Sequence, residues 1–370
     1  MIDNFQNYIP VDRYSISNSW LGNIGSASKS NIRFTQQEEN RPDFIFDNNY
    51  RPYVFSQENQ VFYHSKSPFF NIHWTTSSKT RDENQLYALY TQNINKKLNV
   101  GMRYKLISSK GEFDNSLISE HSMNPFISYI GERYSIHASF IRNKFKSEEN
   151  GGINHLGTDN TPVEPEFATP LMTTASSVYY DRSFFVSQEY KFGFTKKIVI
   201  NDSTTESTFR EIGRINHVFS YDDNYRVFAD ENPIKKTITE GVQTGYYDTI
   251  FYQLDKLNET RDSIKYAKIE NSLYWTFKEI KKPNFSGRLT VGGTMENIKW
   301  LNSVLKPAVD STNEETNVSY FSMADTTFYE TDYNNIKLSA SLDARTKMFI
   351  FNTNAYYYLG DVIGKTNKSR

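Results

Sequence analysis

Residues 84–106 set the pattern for the chain. They read as two strands joined at Asn95-Lys96-Lys97, and on the second strand Leu98, Val100, Met102, Tyr104 and Leu106 alternate with Asn99, Gly101, Arg103 and Lys105. One face is apolar and the other carries two cations. A tilted strand of about 9–11 residues crosses a bilayer, and apolar-out, polar-in alternation is what a membrane barrel requires. The same dyad recurs at 134–140, 269–277, 285–295 and 346–359. In the last of these both registers carry aromatics, so its facing is open.

Helical periodicity is nearly absent, and strand-like runs are separated by two kinds of connection. Asn95-Lys96-Lys97, Gly131-Glu132, Asp222-Asp223-Asn224, Lys281-Lys282-Pro283-Asn284 and Ala344-Arg345-Thr346 read as short turns. The stretches 108–124, 144–182, 230–245 and 300–334 read as long polar loops. Short turns on one side and long loops on the other characterise outer-membrane barrels, whereas a soluble sandwich has shorter strands and no such asymmetry. The pattern predicts an all-β fold, a transmembrane antiparallel β-barrel of roughly 12–14 strands over residues 59–370. Residues 1–58 are less regular. With strand-like pieces at 14–20 and 31–35 around Gly22 and Gly25, they read as a lead-in or plug-like segment.

Composition narrows the function. The chain has 370 residues, a formal net charge of −1 and no Cys, which removes thiolate catalysis, Cys-based zinc sites and disulfides. Near-neutral charge argues against nucleic-acid binding. Mean hydropathy is −0.66, and no apolar run is long enough for a transmembrane helix. A barrel is not excluded, because only alternate residues meet lipid. The 26 Tyr and 27 Phe fit aromatic girdles at the two membrane interfaces. Met1-Ile2-Asp3-Asn4 has neither the basic nor the apolar region of a secretory leader. The chain ends on a polar tail from Gly364 rather than on an aromatic-ended strand. Both ends lead to the expectation of a truncated barrel, incomplete at the C-terminus.

Several motifs carry a resemblance. Leu21-Gly22-Asn23-Ile24-Gly25-Ser26-Ala27 followed by Asn31-Ile32-Arg33-Phe34 resembles the opening of the Bacteroidetes putative porin family. So does Phe62-Tyr63-His64-Ser65-Lys66-Ser67-Pro68-Phe69 ahead of the first barrel strand. The stretches 92–101 and 109–113, and Glu149-Asn150-Gly151-Gly152-Ile153, are similar to the family's first hairpin and loops. His217-Val218-Phe219-Ser220-Tyr221 and Arg226-Val227-Phe228-Ala229-Asp230 resemble a later hairpin. The resemblance covers roughly residues 20–295 and implies an outer-membrane barrel in a Gram-negative envelope.

Candidate chemistry is sparse. There is no G-x-S-x-G, H-E-x-x-H or P-loop, so no enzyme is expected. His64, His73, His121, His137, His155 and His217 are not in ligand spacing. Asp222-Asp223 reads as turn chemistry rather than a catalytic pair, and no cofactor or metal is implied. The polar strand faces are better candidates. Arg or Lys on the lipid face costs about 2–4 kcal/mol at the midplane, so Asn99, Arg103, Lys105, Glu270, Lys278 and Arg288 are expected to point inward as pore-lining residues. Internal ion pairs filling a narrow barrel are the alternative. The resulting expectation is passive diffusion of small hydrophilic solutes across the outer membrane, with the lipid bilayer as partner and the oligomeric state open. The rivals are a structural barrel plugged by its own loops, and a soluble β-sandwich binding glycans through Trp20, Trp74, Trp275 and Trp300.

Overall fold

The alternating stretches form strands, and nearly all of them join one antiparallel sheet. The computed structural model describes residues 8–33, 44–77, 82–154, 164, 167–201, 204–239, 242–248, 260–305 and 326–360. A helical turn, Pro10–Tyr14, precedes a small ribbon of β1 (Asn18–Trp20) and β2 (Ser28–Ser30), and a 3₁₀ segment follows at Ile45–Tyr50. Then come β3 (Phe69–Thr76), β4 (Asn84–Asn93), β5 (Leu98–Ser109), β6 (Ile118–Ile130), β7 (Tyr134–Glu148), β8 (Ala175–Asn201) and β9 (Thr204–Asp230). The second half holds β10 (Thr237–Thr239), β11 (Val242–Thr244), β12 (Thr260–Phe277), β13 (Ile280–Lys282), β14 (Phe285–Leu305), β15 (Thr326–Thr346) and β16 (Ile350–Gly360). Strands β10 and β11 pair only with each other.

The main sheet has twelve strands in the order β16-β15-β14-β12-β9-β8-β7-β6-β5-β4-β3, with β13 pairing on β14. The number and antiparallel order agree with the alternation in the sequence. Connections of a few residues after β4, β6, β8 and β15 lie on one side of the sheet. Those after β5, β7, β9 and β14 are longer and lie on the other. Among the described residues the sheet is curled but not closed, since β3 and β16 do not pair with each other.

The curl follows from what fills it. One apolar cluster joins Val11, Ile24, Phe44 and Tyr53 of the N-terminal segment to Ile107 of β5, Phe145 of β7, Tyr179 of β8 and Tyr266 of β12, and Trp300 of β14 packs against it. Strands β5 and β14 are six places apart, about 29 Å in a flat sheet at the usual strand spacing. A single cluster reaches both only because the sheet wraps around the segment.

Several expectations are corrected. Asp222-Asp223-Asn224 is not a turn. It lies within the continuous 27-residue strand β9, so the two motifs read as a hairpin around it are one strand. The acids are tolerated there because neighbouring strands and the N-terminal segment supply partners. Arg182 and Lys265 flank Asp223, and Gln57 donates to Asp222 at 2.7 Å. The long loops are shorter than their polarity suggests: β6 begins at Ile118, and the connection after β7 gives way to β8 at Ala175. The segment 14–20 starts in a helical turn, and its strand is Asn18–Trp20. Lys347, Met348 and Phe349 form the turn before β16 rather than strand. All eleven residues of β16 are exposed, which is why its facing was ambiguous in sequence. His155, residues 306–325 and the tail from Gly364 lie outside the described residues.

Strands β8 and β9 run past their neighbours on the short-turn side. The last β7 partner of β8 is Tyr190, and β12 leaves β9 at Gly213. One backbone bond follows on each side, Lys191 N–H to the Arg133 carbonyl and Lys278 N–H to the Ile212 carbonyl, and beyond these the two strands pair with each other as far as Asn201 and Thr204.

Candidate functional site: a polar chamber beneath the N-terminal segment

Each strand sorts its side chains by parity. On β5, Asn99, Arg103, Ile107 and Ser109 are buried, whereas Met102 on the other face is exposed. On β6 and β7 the buried set is Ile118, Glu120, Ser122, Asn124, Phe126, Ser128, Ser135, Ser139, Ile141, Asn143 and Phe145. The enclosed face is therefore largely hydroxyl and amide. The open face carries Ile127, Phe184, Ile269, Leu273, Leu289, Met295, Leu338 and Leu342, all exposed. A water-soluble sandwich buries its apolar faces. The reverse order, apolar outside and polar inside, suits a sheet whose outer face meets hydrocarbon. Polar side chains on that outer face satisfy one another: Gln188 contacts His217 at 3.2 Å, and His217 contacts Asn271 at 3.1 Å.

The enclosed polar face is paired. Ser272 meets Thr294 at 2.8 Å and Thr276 meets Thr290 at 3.2 Å, rungs between β12 and β14. Many of the remaining groups hold the N-terminal segment. The backbone N–H of Phe55 donates to Asn143 Oδ1, and Asn143 Nδ2 donates to the Phe55 carbonyl. Ile24 N–H donates to Glu83 at 3.1 Å, and Asn23 donates to the Ser116 carbonyl at 3.1 Å. The Arg226 guanidinium lies 4.6 Å from the Phe46 ring centre. Gly25, with φ +89°, lets the chain lie against β6, where a Cβ would meet Ile118 at 2.8 Å. Burial and the nearby Glu149 carboxylate push the Tyr50 phenol up to about 12, against the lowering influence of Arg226. Burial raises Tyr53 as well.

The residues expected to line an interior fall into three groups. The first contacts the N-terminal segment or its surroundings. Arg103 donates to Asn124 at 2.8 Å and to Gln60 at 2.9 Å, and lies 4.7 Å from the Phe55 ring centre. Lys105 donates to the Tyr53 carbonyl and stands 4.9 Å over the same ring. Asn99 accepts from Thr91 and donates to Asn93 within the β4–β5 hairpin. The second is Glu270, paired with Lys268 at 3.3 Å, with Glu296 also 3.9 Å from that ammonium. The third lies at the short-turn rim: Lys278 is exposed just past the end of β12, and Arg288 pairs with Asp343 at 3.2 Å. The structure does not bring the six together.

Glu270 opens on a chamber of about 460 Å³ between the N-terminal segment and strands β8, β9 and β12. Arg51, Gln57 and Glu58 form its segment side, and Asp222, Lys268 and Glu270 its sheet side. The lining carries side chains of both charge signs. Sequence reading missed Asn143, Gln57 and Lys268. Their one visible signal was parity, since Asn143 alternates with Ile141 and Phe145 on the enclosed face. Among the described residues no group of His, Asp and Glu is placed to hold a metal ion.

An enclosed polar face, an apolar outer face and one-sided short turns are the architecture of a porin, and a family model described as putative porin matches residues 1–369. The chain belongs to the putative porin family. It is a porin-like protein of the outer membrane. Among solved structures it is similar to the siderophore receptor PiuA from Acinetobacter baumannii, at 9% identity and a TM-score of 0.43, covering 80% of this chain and 46% of that one. It is also similar to the ferric-catecholate import receptor Fiu from E. coli K12 in its open form, at 8% identity and a TM-score of 0.27, covering 79% and 56%. The chain thus spans about half the length of these two receptors. No curated protein sequence matches it.

Proposed function

We propose that this porin-family protein passes small hydrophilic solutes by passive diffusion through the polar interior of its sheet, and that residues 1–58 act as a plug narrowing that path. The observation that carries this reading is the chamber between segment and sheet, with Asp222, Lys268 and Glu270 on one wall and Arg51 and Glu58 on the other. Charged groups at a constriction set which solutes pass. Asn99, Arg103, Lys105, Glu270, Lys278 and Arg288 are the proposed interior set, with Arg103 and Lys105 acting through their hold on the plug.

Single-channel recording in planar bilayers tests this. The parent protein should give small openings, and deletion of residues 1–58 should enlarge them. Absence of conductance in both would sink the diffusion reading. It would favour the second one, a structural barrel plugged by its own chain, which the density of contacts between segment and sheet also supports.

A further inference from the structure

The outer face of the sheet changes character partway along its strands. At the short-turn side it carries an aromatic belt: Tyr129 and Tyr134 have ring centres 6.4 Å apart, Tyr190 meets Phe192 at 4.8 Å, and Phe192 meets Trp275 at 5.5 Å. Apolar positions follow, such as Phe140 and Phe184. Then the same face turns basic. Arg142 stands directly opposite Arg182 in the β7–β8 register, and Arg182 stands opposite Asp223 of β9. One step further, Lys144, Tyr180, Tyr225 and Lys265 form a second row across four strands.

Depth explains where this cluster sits. Eight residues separate Tyr134 from Arg142, and the same number separate Tyr190 from Arg182. At about 3.4 Å per residue and a tilt near 40°, that is roughly 21 Å along the membrane normal. The apolar band of an outer-membrane barrel is about 25 Å tall. The basic rows therefore lie where hydrocarbon gives way to headgroups, on the long-loop side, which faces outward in such barrels.

The cluster is built as a cleft and is short of anions. It encloses about 660 Å³ and is lined by Met123, Phe140, Arg142, Tyr180, Arg182, Tyr225 and Lys265, with no carboxylate among them. Asp223 lies beneath, its side chain only 5% exposed, engaged by Arg182 and, at 3.3 Å, by Lys265. Lys144 is stacked 5.4 Å from the Tyr180 ring centre. Among the described residues the Arg142 side chain has no hydrogen bond or ion pair. Like charges directly opposite each other on neighbouring strands destabilise a sheet unless something lies between them. One internal carboxylate against Arg142, Lys144, Arg182 and Lys265 leaves a strong excess of positive charge at a wet–apolar boundary.

We propose that this cleft binds the anionic phosphate headgroup of a membrane lipid. Arg142 and Arg182 would grip the phosphate oxygens through their guanidinium forks, Lys265 would add a third cation, and Phe140 and Met123 would lie along the upper acyl chain. The inference rests on the membrane placement of the sheet and not on solute passage, so it survives if no conductance is found.

The test is lipid retention by the whole protein in detergent, read by native mass spectrometry with phosphatidic acid and with phosphatidylcholine of the same chains. The parent should retain phosphatidic acid preferentially. Arg142→Gln with Lys265→Gln should weaken retention about fivefold for each cation removed. Arg142→Gln alone breaks no internal contact, and serves if the double variant fails to fold. Lys281→Gln, at the opposite rim, is the control and should change nothing. Equal retention by parent and variants would overturn the proposal, as would an equal loss in the control. Displacement of the lipid by inorganic phosphate at matched concentration would overturn it in favour of a soluble anion.

Discussion

Asn143 and Phe55, 88 positions apart in the chain, are joined by two hydrogen bonds in opposite directions: Phe55 N–H to Asn143 Oδ1 at 3.1 Å and Asn143 Nδ2 to the Phe55 carbonyl at 2.8 Å. A side-chain amide here does what a neighbouring strand would do, satisfying both backbone groups of one residue. Asn143 also donates to Asp181 at 2.7 Å, so the same residue ties the N-terminal segment to β7 and β8 together.

Asn143→Leu should therefore release the segment more than it harms the sheet. Each buried backbone group left without a partner costs about 1–3 kcal/mol. The expected outcome is faster proteolysis between Val54 and Gln60 with unchanged strand content by circular dichroism. Equal protease resistance in parent and variant would show that the segment is held elsewhere.

Lys105→Met keeps the length of the stem but removes the donor to the Tyr53 carbonyl and the cation over Phe55. Larger or more frequent channel openings are expected, and Lys281→Met, exposed on β13 and far from the segment, should leave them unchanged. Matching traces for the two variants would separate Lys105 from any role in holding the plug.

Gly101 faces the ring of Phe126, and a Cβ there would come within 2.3 Å of it. Phe126 in turn packs against Phe62 and Tyr63, at 6.2 and 5.6 Å between ring centres. Gly101→Val should cost about 1–3 kcal/mol by overpacking, seen as a lower denaturant midpoint. A second change, Phe126→Leu, should recover part of the loss, and failure to do so would place the strain in the backbone.

The outer face gives a depth-dependent prediction. Met295→Arg, on the outer face four residues beyond the Val291 partner of Trp275, should destabilise the folded protein in bilayers by about 2–4 kcal/mol. Ser119→Arg, at the long-loop end of the outer face of β6, should cost little. Equal penalties for both would be inconsistent with this sheet crossing the membrane.

Alkaline pH should loosen the N-terminal segment. Tyr50 is pushed up to about 12 in the folded protein and Tyr53 is raised too. A raised folded value means that their contribution is complete below the ordinary phenol value of about 10 and is lost as pH rises through the folded value. Protease sensitivity of the segment should stay flat to about pH 10 and climb toward about 12. A rise centred near neutrality would point to other groups.

Much of this fold is legible in the sequence because its determinants are local. The turn after β4 is written by Asn95, whose Oδ1 accepts from the N–H of Lys97 and of Leu98. Alternation in Leu98 to Leu106 gave the two faces of β5 directly. What was illegible depends on partners far along the chain. Asp222 and Asp223 look like a turn until Gln57, Arg182 and Lys265 are brought beside them. The lining of the chamber could not be read for the same reason, since Arg51 and Glu58 come from one end of the chain and Lys268 from the other. Nor does period two reveal where one strand outlasts its neighbours, as β8 and β9 do.

That overhang divides two strands into two kinetic regimes. From Ala175 to Lys191, β8 is hydrogen-bonded on both sides, but from Phe192 to Asn201 it pairs with β9 alone, over about 33 Å of extended chain. Amide exchange should reflect this along a single strand, slow up to Lys191 and fast on alternate N–H groups beyond it, with the matching crossover on β9 next to Gly213. A deuterium-exchange map would thus mark the membrane boundary on this protein without any lipid label.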